Sequence, residues 1–291
     1  MSPWVSASGD LDRPWIAEPA DARFPASLRA VKPAVKPLWV RGDLPAAGEP
    51  AVAIVGARAA SLTACRLAAE LAAVAARAGF AVVSGGALGI DGAAHTGALD
   101  AGGRSFAVLG CGVDVVYPDR HAALFERMAG GAGGLLSEFP PGTEPNRRHF
   151  PSRNRLVAAL GQAVLVVEAR QKSGALITAR LARTLGRPLY AVPGSRGADG
   201  LIAAGHAQAV RNGADWLAVL TGQPRPSHRP PVELAPVVAA VRAGGAAGQV
   251  ARQLGLPLPV ALALLAEAEL GGWILKGVGG VYTTTEVTRA S

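Results

Sequence analysis

The apolar positions over residues 51–194 change period repeatedly. "AVAIVG" (51–56) is a near-continuous run of small and β-branched residues, the pattern of a strand buried on both faces. From Ser61 the spacing becomes helical. Arg66, Glu70 and Arg77 fall on one polar face and Ser61 can cap, which predicts a helix over 61–78. The alternation then recurs. Strands are predicted at "FAVVSGG" (80–86), "SFAVLG" (105–110), "GLLSEF" (134–139), "AVLVVEA" (163–169) and "RPLYAVPG" (187–194). Helices are predicted at "IDGAAHTGALDAGG" (90–103), "DRHAALFERMA" (119–129), "RNRLVAAL" (153–160) and "GALITARLARTLG" (174–186). Strands alternating with helices imply an α/β domain with a parallel sheet covered on both sides.

The pattern weakens at both ends. Residues 1–50 are rich in Pro and Trp and read as an extended lead-in, with a candidate edge strand in "KPLWVRGDL". The α/β domain is placed at 51–220. "TGQPRPSHRPP" (221–231) has no periodicity and reads as a linker, 221–232. Residues 233–291 predict a small module with helices near 233–243, 247–255 and 258–270. "WILKGVGGVYTT" then gives two short strands around a Gly-Gly turn. Three helices and a hairpin suggest a winged helix. Its third helix carries two glutamates and no base, whereas a groove-reading helix needs basic or amide side chains at its exposed start. A protein-contact or stabilising role is therefore expected for the module.

Charge narrows the function. The chain carries +8 over 291 residues. Between Phe139 and Arg196 stand ten Lys/Arg and two Asp/Glu, while the rest balances at nineteen against nineteen. The whole excess lies in one segment, beside glycine loops, which favours a phosphate-bearing partner over a merely solvated face. Cys65 and Cys111 form no metal or disulfide pattern. No apolar run reaches the ~18 residues of a membrane span, and the N-terminus lacks a signal-peptide pattern, so a cytoplasmic protein is expected.

In parallel sheets ligands lie beyond the carboxyl ends of strands. "SGGALGID" follows one such end. Gly85 and Gly86 allow a tight turn and close approach, and the helix that follows offers an anion its N-terminus. A purely structural turn is the competing reading. The spacing fits neither the dinucleotide fingerprint nor a P-loop. Arg58 lies just past the first strand, either aimed at phosphates or simply on the surface. In "NRRHFPSRNR" (146–155), Arg147, Arg148, Arg153 and Arg155 surround Phe150. Cations with an interleaved ring suit single-strand binding; Phe150 in a core, Arg153 and Arg155 in ion pairs and Asn154 as a helix cap are the alternatives. Lys172, Ser173 and Gly174 precede another helix N-terminus. Glu168 reads as an ion-pair partner rather than a catalytic acid. Asp91 and His95 lack a third ligand for a metal.

These stretches together resemble the DNA-processing protein A (DprA, also called Smf) family. The matches include "AIVGAR", "VVSGGALGIDGAAH", "AVLGCGVDVVYP", "LLSEFPPG", "FPSRNRLVAAL" and "VLVVEARQKSGALITARLA", and cover about residues 22–216. The resemblance implies an extended Rossmann-like domain that binds single-stranded DNA as a homodimer and loads RecA onto it, with no catalysis, cofactor or metal. It implies DNA contacts by Arg58, Arg147 and Phe150 and a phosphate cradle at Ser84, Gly85 and Gly86. Arg153, Asn154, Lys172, Ser173 and Gly174 complete the expected site. The competing expectation is a nucleoside-monophosphate phosphoribohydrolase of the lysine decarboxylase-like group. Its P-G-G-x-G-T motif is replaced here by "ARQKSGALITA".

Overall fold

A computed structural model describes residues 13–225, 232–270, 273–276 and 280–284. The chain divides into two compact units, Met1–Gln223 and Pro224–Ser291.

The first unit is built on one nine-stranded sheet in the order β1-β2-β6-β5-β4-β3-β7-β8-β9. Its central strands are the continuous apolar runs: β3 (Ala51–Val55), β4 (Ala81–Ser84), β5 (Ser105–Val108), β6 (Gly133–Ser137) and β7 (Ala163–Val166), all fully buried. Together with β8 (Leu189–Ala191) and β9 (Gln208–Ala209) they pair in parallel. Alternate residues of β3 feed two cores. Ala53 and Val55 pack with α5 (His149–Leu160) and α6 (Gly174–Thr184); Val52 and Ile54 pack with α2 (Leu62–Arg77) and α3 (Ile90–Asp100). That two-sided burial is why the strands carry no polar alternation.

The lead-in expected over residues 1–50 is instead folded onto the sheet from Trp15. β1 (Trp15–Ala17) and β2 (Leu38–Gly42) run antiparallel and extend the sheet beyond β6, with the helical turn α1 (Ala26–Arg29) between them. Phe24, Leu28, Leu38 and Val40 bury there, and the Lys36 N–H donates to Glu138. These side chains are too widely spaced to look periodic, so only β2 was legible. Residues 1–12 lie outside the described residues.

Two helices beyond the expected set follow β8: α7 (Arg196–Ala203) and α8 (Gly213–Thr221), the latter burying Trp216 completely. The helix expected from Arg153 starts four residues earlier, at His149. Pro151 falls in its first turn, where a missing N–H costs nothing. The helix expected over 119–129 is present but mixed: a 3-10 turn at Asp119–His121 leads into α4 (Ala122–Arg127), and a π turn continues from Met128.

The second unit has α9 (Ala235–Ala243), α10 (Ala247–Leu254) and α11 (Leu258–Leu270), then β10 (Ile274–Lys276) and β11 (Tyr282–Thr284) paired antiparallel. Val237, Val241, Val250, Leu265 and Ile274 form its own core. Half of the expected linker (226–231) and most of the Gly-Gly turn (277–279) lie outside the described residues. Among the described residues no single helix is long and apolar enough to cross a membrane.

Candidate nucleic-acid interface

The chain enters the parallel sheet at β3, winds outward to β6, then returns to lay β7 on the other side of β3. The loops leaving β3 and β7 therefore part in opposite directions, and a crevice opens between them. A cleft of about 570 Å³ occupies that position. It is lined by Arg58 from the β3 loop, Gly85 from the β4 loop, Arg147 and Phe150 from the start of α5, and Arg170, Ser173 and Gly174 from the β7 loop.

Arg58 and Arg147 are exposed, and the Arg58 guanidinium lies 4.7 Å from the centre of the Phe150 ring. Tyr117, 42% exposed, stacks on the same ring at 5.8 Å. Phe150 is half-buried rather than a core residue. It also borders a smaller side pocket of about 260 Å³ shared with Arg58, Gly86, Leu109 and Tyr117. Two histidines hold the flanking loops: His121 Nδ1–H donates to the Gly86 carbonyl at 3.0 Å and His149 Nδ1–H to the Gly110 carbonyl at 3.1 Å.

Other expected residues take different places. Ser84 is fully buried and its hydroxyl donates to the Ile54 carbonyl at 2.6 Å, so it joins β4 to β3 and stays out of the cleft lining. Gly86, at φ +70°, lines the side pocket and not the main cleft. Lys172 is exposed at φ +58° and closes the β7 loop without lining the cleft. Asn154 lines the cleft, and its amide donates to the Gly174 carbonyl at 3.4 Å, tying α5 to the start of α6.

Arg153 is the clearest departure. Only 4% of it is exposed, and one terminal nitrogen donates to the carbonyls of both Gly85 and Val108. Its partner in charge is Asp91, itself 8% exposed, which accepts the Ala87 N–H at 3.4 Å. Burial pushes Arg153 down from the arginine range and Asp91 up from the carboxylate range, while each draws the other towards its charged form. Arg155 is internal as well, paired with Glu138 at 2.7 Å. Glu168 accepts from the Ser61 N–H and hydroxyl, at 3.2 and 2.9 Å, so its partner is the start of α2 and not an arginine.

Of the two helix N-termini expected to suit an anion, the structure treats one differently from the other. At the start of α3 the Ile90 N–H donates to the Ala57 carbonyl and the Asp91 carboxylate sits in the first turn. A Cβ on Gly85 would come within 2.6 Å of the Arg153 guanidinium and the Asp91 carboxylate. The protein's own carboxylate thus fills the place where a phosphate would meet α3. At α6 no side chain caps the helix, the Ser173 hydroxyl is buried without a partner among the described residues, and both Ser173 and Gly174 line the cleft. The open N-terminus is that of α6. Arg170, which the sequence reading left out, completes the basic rim. Its signal was positional, three residues past Val167 at a strand end.

Cys111 is buried, and burial pushes its thiol up to about 11, which leaves it inert as a nucleophile. Among the described residues no group of three or more His, Cys, Asp or Glu side chains could hold a metal.

Residues 15–221 match the family described as DNA recombination-mediator protein A. The chain belongs to that family. Members that it resembles include DprA of Mycobacterium tuberculosis (52% identical over 159 residues, 54% of this chain and 41% of that protein). Another is Smf of Escherichia coli (35% over 285 residues, 90% and 75%). The two relatives from M. tuberculosis and Synechocystis are matched over only 41% and 52% of their length, so the chain spans about half of them. Among solved structures, DprA of Streptococcus pneumoniae superposes with a TM-score of 0.67 at 36% identity, over 72% of this chain and 75% of that one. The structure of Helicobacter pylori DprA, which concerns that protein's single-stranded DNA binding mode, gives 0.65 at 30% identity, over 72% and 97%. A family described as DNA recombination mediators, with relatives called DNA-processing proteins, does not favour the phosphoribohydrolase alternative.

Proposed function

We propose that this family member binds single-stranded DNA in the α5–α6 cleft, as a homodimer in the cytoplasm, and passes the strand to RecA. The observation that carries the reading is convergence. Three exposed arginines (Arg58, Arg147, Arg170), an aromatic ring (Phe150) and an uncapped helix N-terminus surround one cleft at the sheet's switch point. Cations and N–H groups suit the sugar–phosphate chain, and a ring suits any base, so sequence preference is slight. The H. pylori relative's single-stranded DNA binding supports the ligand class. Ser84 and Arg153 act from beneath, as struts of the loops. No cofactor or metal enters this scheme.

The test compares single-stranded and duplex oligonucleotides in a mobility shift at two salt concentrations. Each phosphate contact contributes about −0.7 to the log–log salt slope. Arg58→Ala with Arg147→Ala and Arg170→Ala should make that slope shallower by about 2 and weaken binding. A triple variant that binds oligo-dT as the parent does would refute the site. RecA loading is checked by following RecA filament formation on an oligonucleotide with and without the protein.

The second unit, read as a winged-helix-like module, is proposed to contact protein. Its α11 carries Glu267 and Glu269 and no base. Removal of residues 225–291 should leave single-strand affinity intact; a folded truncation with lost affinity would reverse this assignment.

A further inference from the structure

Tyr117 is the only exposed aromatic ring among the described residues, and it stands beside the cleft. A lone exposed apolar group is ordinary. This one has company: exposed Leu88 lines the same side pocket, and Tyr117 stacks on Phe150 at 5.8 Å between ring centres, 27° from parallel.

Phe150 itself has little free ring to offer. Tyr117 stacks on it, the Arg58 guanidinium lies 4.7 Å from its centre, and a Cβ on Gly110 would come within 2.8 Å of it. The ring that meets solvent is that of Tyr117. Its loop, which leaves β5, is pinned on both sides. Before it, Cys111 and Val113 are buried, the Val115 N–H donates to the Gly112 carbonyl at 3.1 Å, and the Asp114 carboxylate accepts the Gly142 N–H at 2.9 Å. After it, the His121 N–H donates to the Pro118 carbonyl at 2.9 Å and the His121 Nδ1–H to the Gly86 carbonyl at 3.0 Å. A tyrosine has only two side-chain torsions, so a ring held this way meets a ligand at little entropic cost. A tyrosine that merely filled space would hand its hydroxyl to a partner. The Tyr117 hydroxyl makes no hydrogen bond to a described residue.

We infer that Tyr117 takes a base of its own: one nucleotide stacks on its outer face, with Phe150 as the backing ring. This rests on the single-strand reading given above and adds a residue to it. Stacking is indifferent to base identity, since every base has a π-face, and it consumes no charge.

The experiment uses the full chain and two strands of about 12 units, oligo-dT and the same sugar–phosphate chain without bases. Tyr117 is exposed, so its replacement retains the fold. Tyr117→Ala should weaken oligo-dT binding roughly 5- to 150-fold, the worth of one stacked base, and leave the salt slope unchanged. On the abasic strand it should bind as the parent does. Tyr117→Phe should bind oligo-dT as the parent does. Tyr117→Leu, which keeps apolar bulk against Phe150 without a ring, should fail as alanine does. An equal loss on both strands overturns the inference, because Tyr117 would then only hold its neighbours in place. Full affinity for oligo-dT in the alanine or the leucine variant overturns it too. A parent that grips both strands equally stacks no base, which overturns the inference and leaves the phosphate contacts standing. If the parent binds neither strand, the single-strand reading itself has failed.

Discussion

Arg153 and Arg58 stand in one site and should fail in different ways when removed. In Arg153→Met the Asp91 carboxylate loses its buried partner, and the Gly85 and Val108 carbonyls lose their donor. Breaking a buried pair from one side costs about 3–5 kcal/mol. Each unsatisfied carbonyl alone is worth about 1–3 kcal/mol, but the three losses share one guanidinium and do not add. We expect about 3–5 kcal/mol in all. At about 2–4 °C per kcal/mol for a unit of this size, the melting temperature drops by roughly 6–20 °C. Adding Asp91→Asn removes the stranded charge and should recover part of the loss. Arg58→Ala touches an exposed side chain and should move the melting temperature by less than about 2 °C, from the ±0.5 kcal/mol usual at surfaces. Scanning calorimetry or a dye-based melt of the three variants decides it. An Arg153→Met protein that melts with the parent would show that Asp91 needs no partner. The strut beneath the glycine loop would then be misassigned.

Two further outcomes follow from named contacts. His95 is completely buried with Nδ1 against the Ser105 hydroxyl, and burial lowers its pKa to about 3. The unfolded chain takes up this proton near pH 6.5 and the fold does not. Stability is therefore full above pH 6.5 and falls as pH drops towards 3, by about 1.4 kcal/mol per unit and about 5 kcal/mol in all. His95→Asn should flatten the acid limb of stability measured by urea titration from pH 7 to 4; an unchanged limb would contradict a neutral buried imidazole. Gly89 has φ +80°, and a Cβ there would collide with the Ala57 and Arg58 carbonyls. Gly89→Ala should cost at least about 2 kcal/mol and displace Arg58, so that both the melt and oligonucleotide binding suffer; a neutral result would mean the β3 loop can retreat.

The sequence disclosed the elements whose burial is uniform. β3 to β7 read directly as apolar runs because both faces of each strand meet side chains. β1 escaped because three residues at a sheet edge carry no period, and α7 and α8 because no strand of obvious strength follows β8. Within the site, Arg58, Arg147 and Phe150 were legible from charge and position. Arg153 was not placed, since an arginine's letter is the same whether it meets solvent or two carbonyls. Which of the two expected helix N-termini, α3 or α6, stays open was equally hidden. Both helices follow glycine-bearing loops, and only the fold shows that Asp91 turns inward while Ser173 stays open to the cleft.

The burial of Arg153 and Asp91 bears on how the molecule meets changing ionic conditions. Dissolved ions weaken attraction between exposed charges within about 10 Å at 0.1 M, but hardly reach a pair shut away from water. Brine that loosens a ligand from the rim arginines thus leaves the loops beneath in register. Release and denaturation become separate events, and the emptied protein is ready to take hold again on dilution.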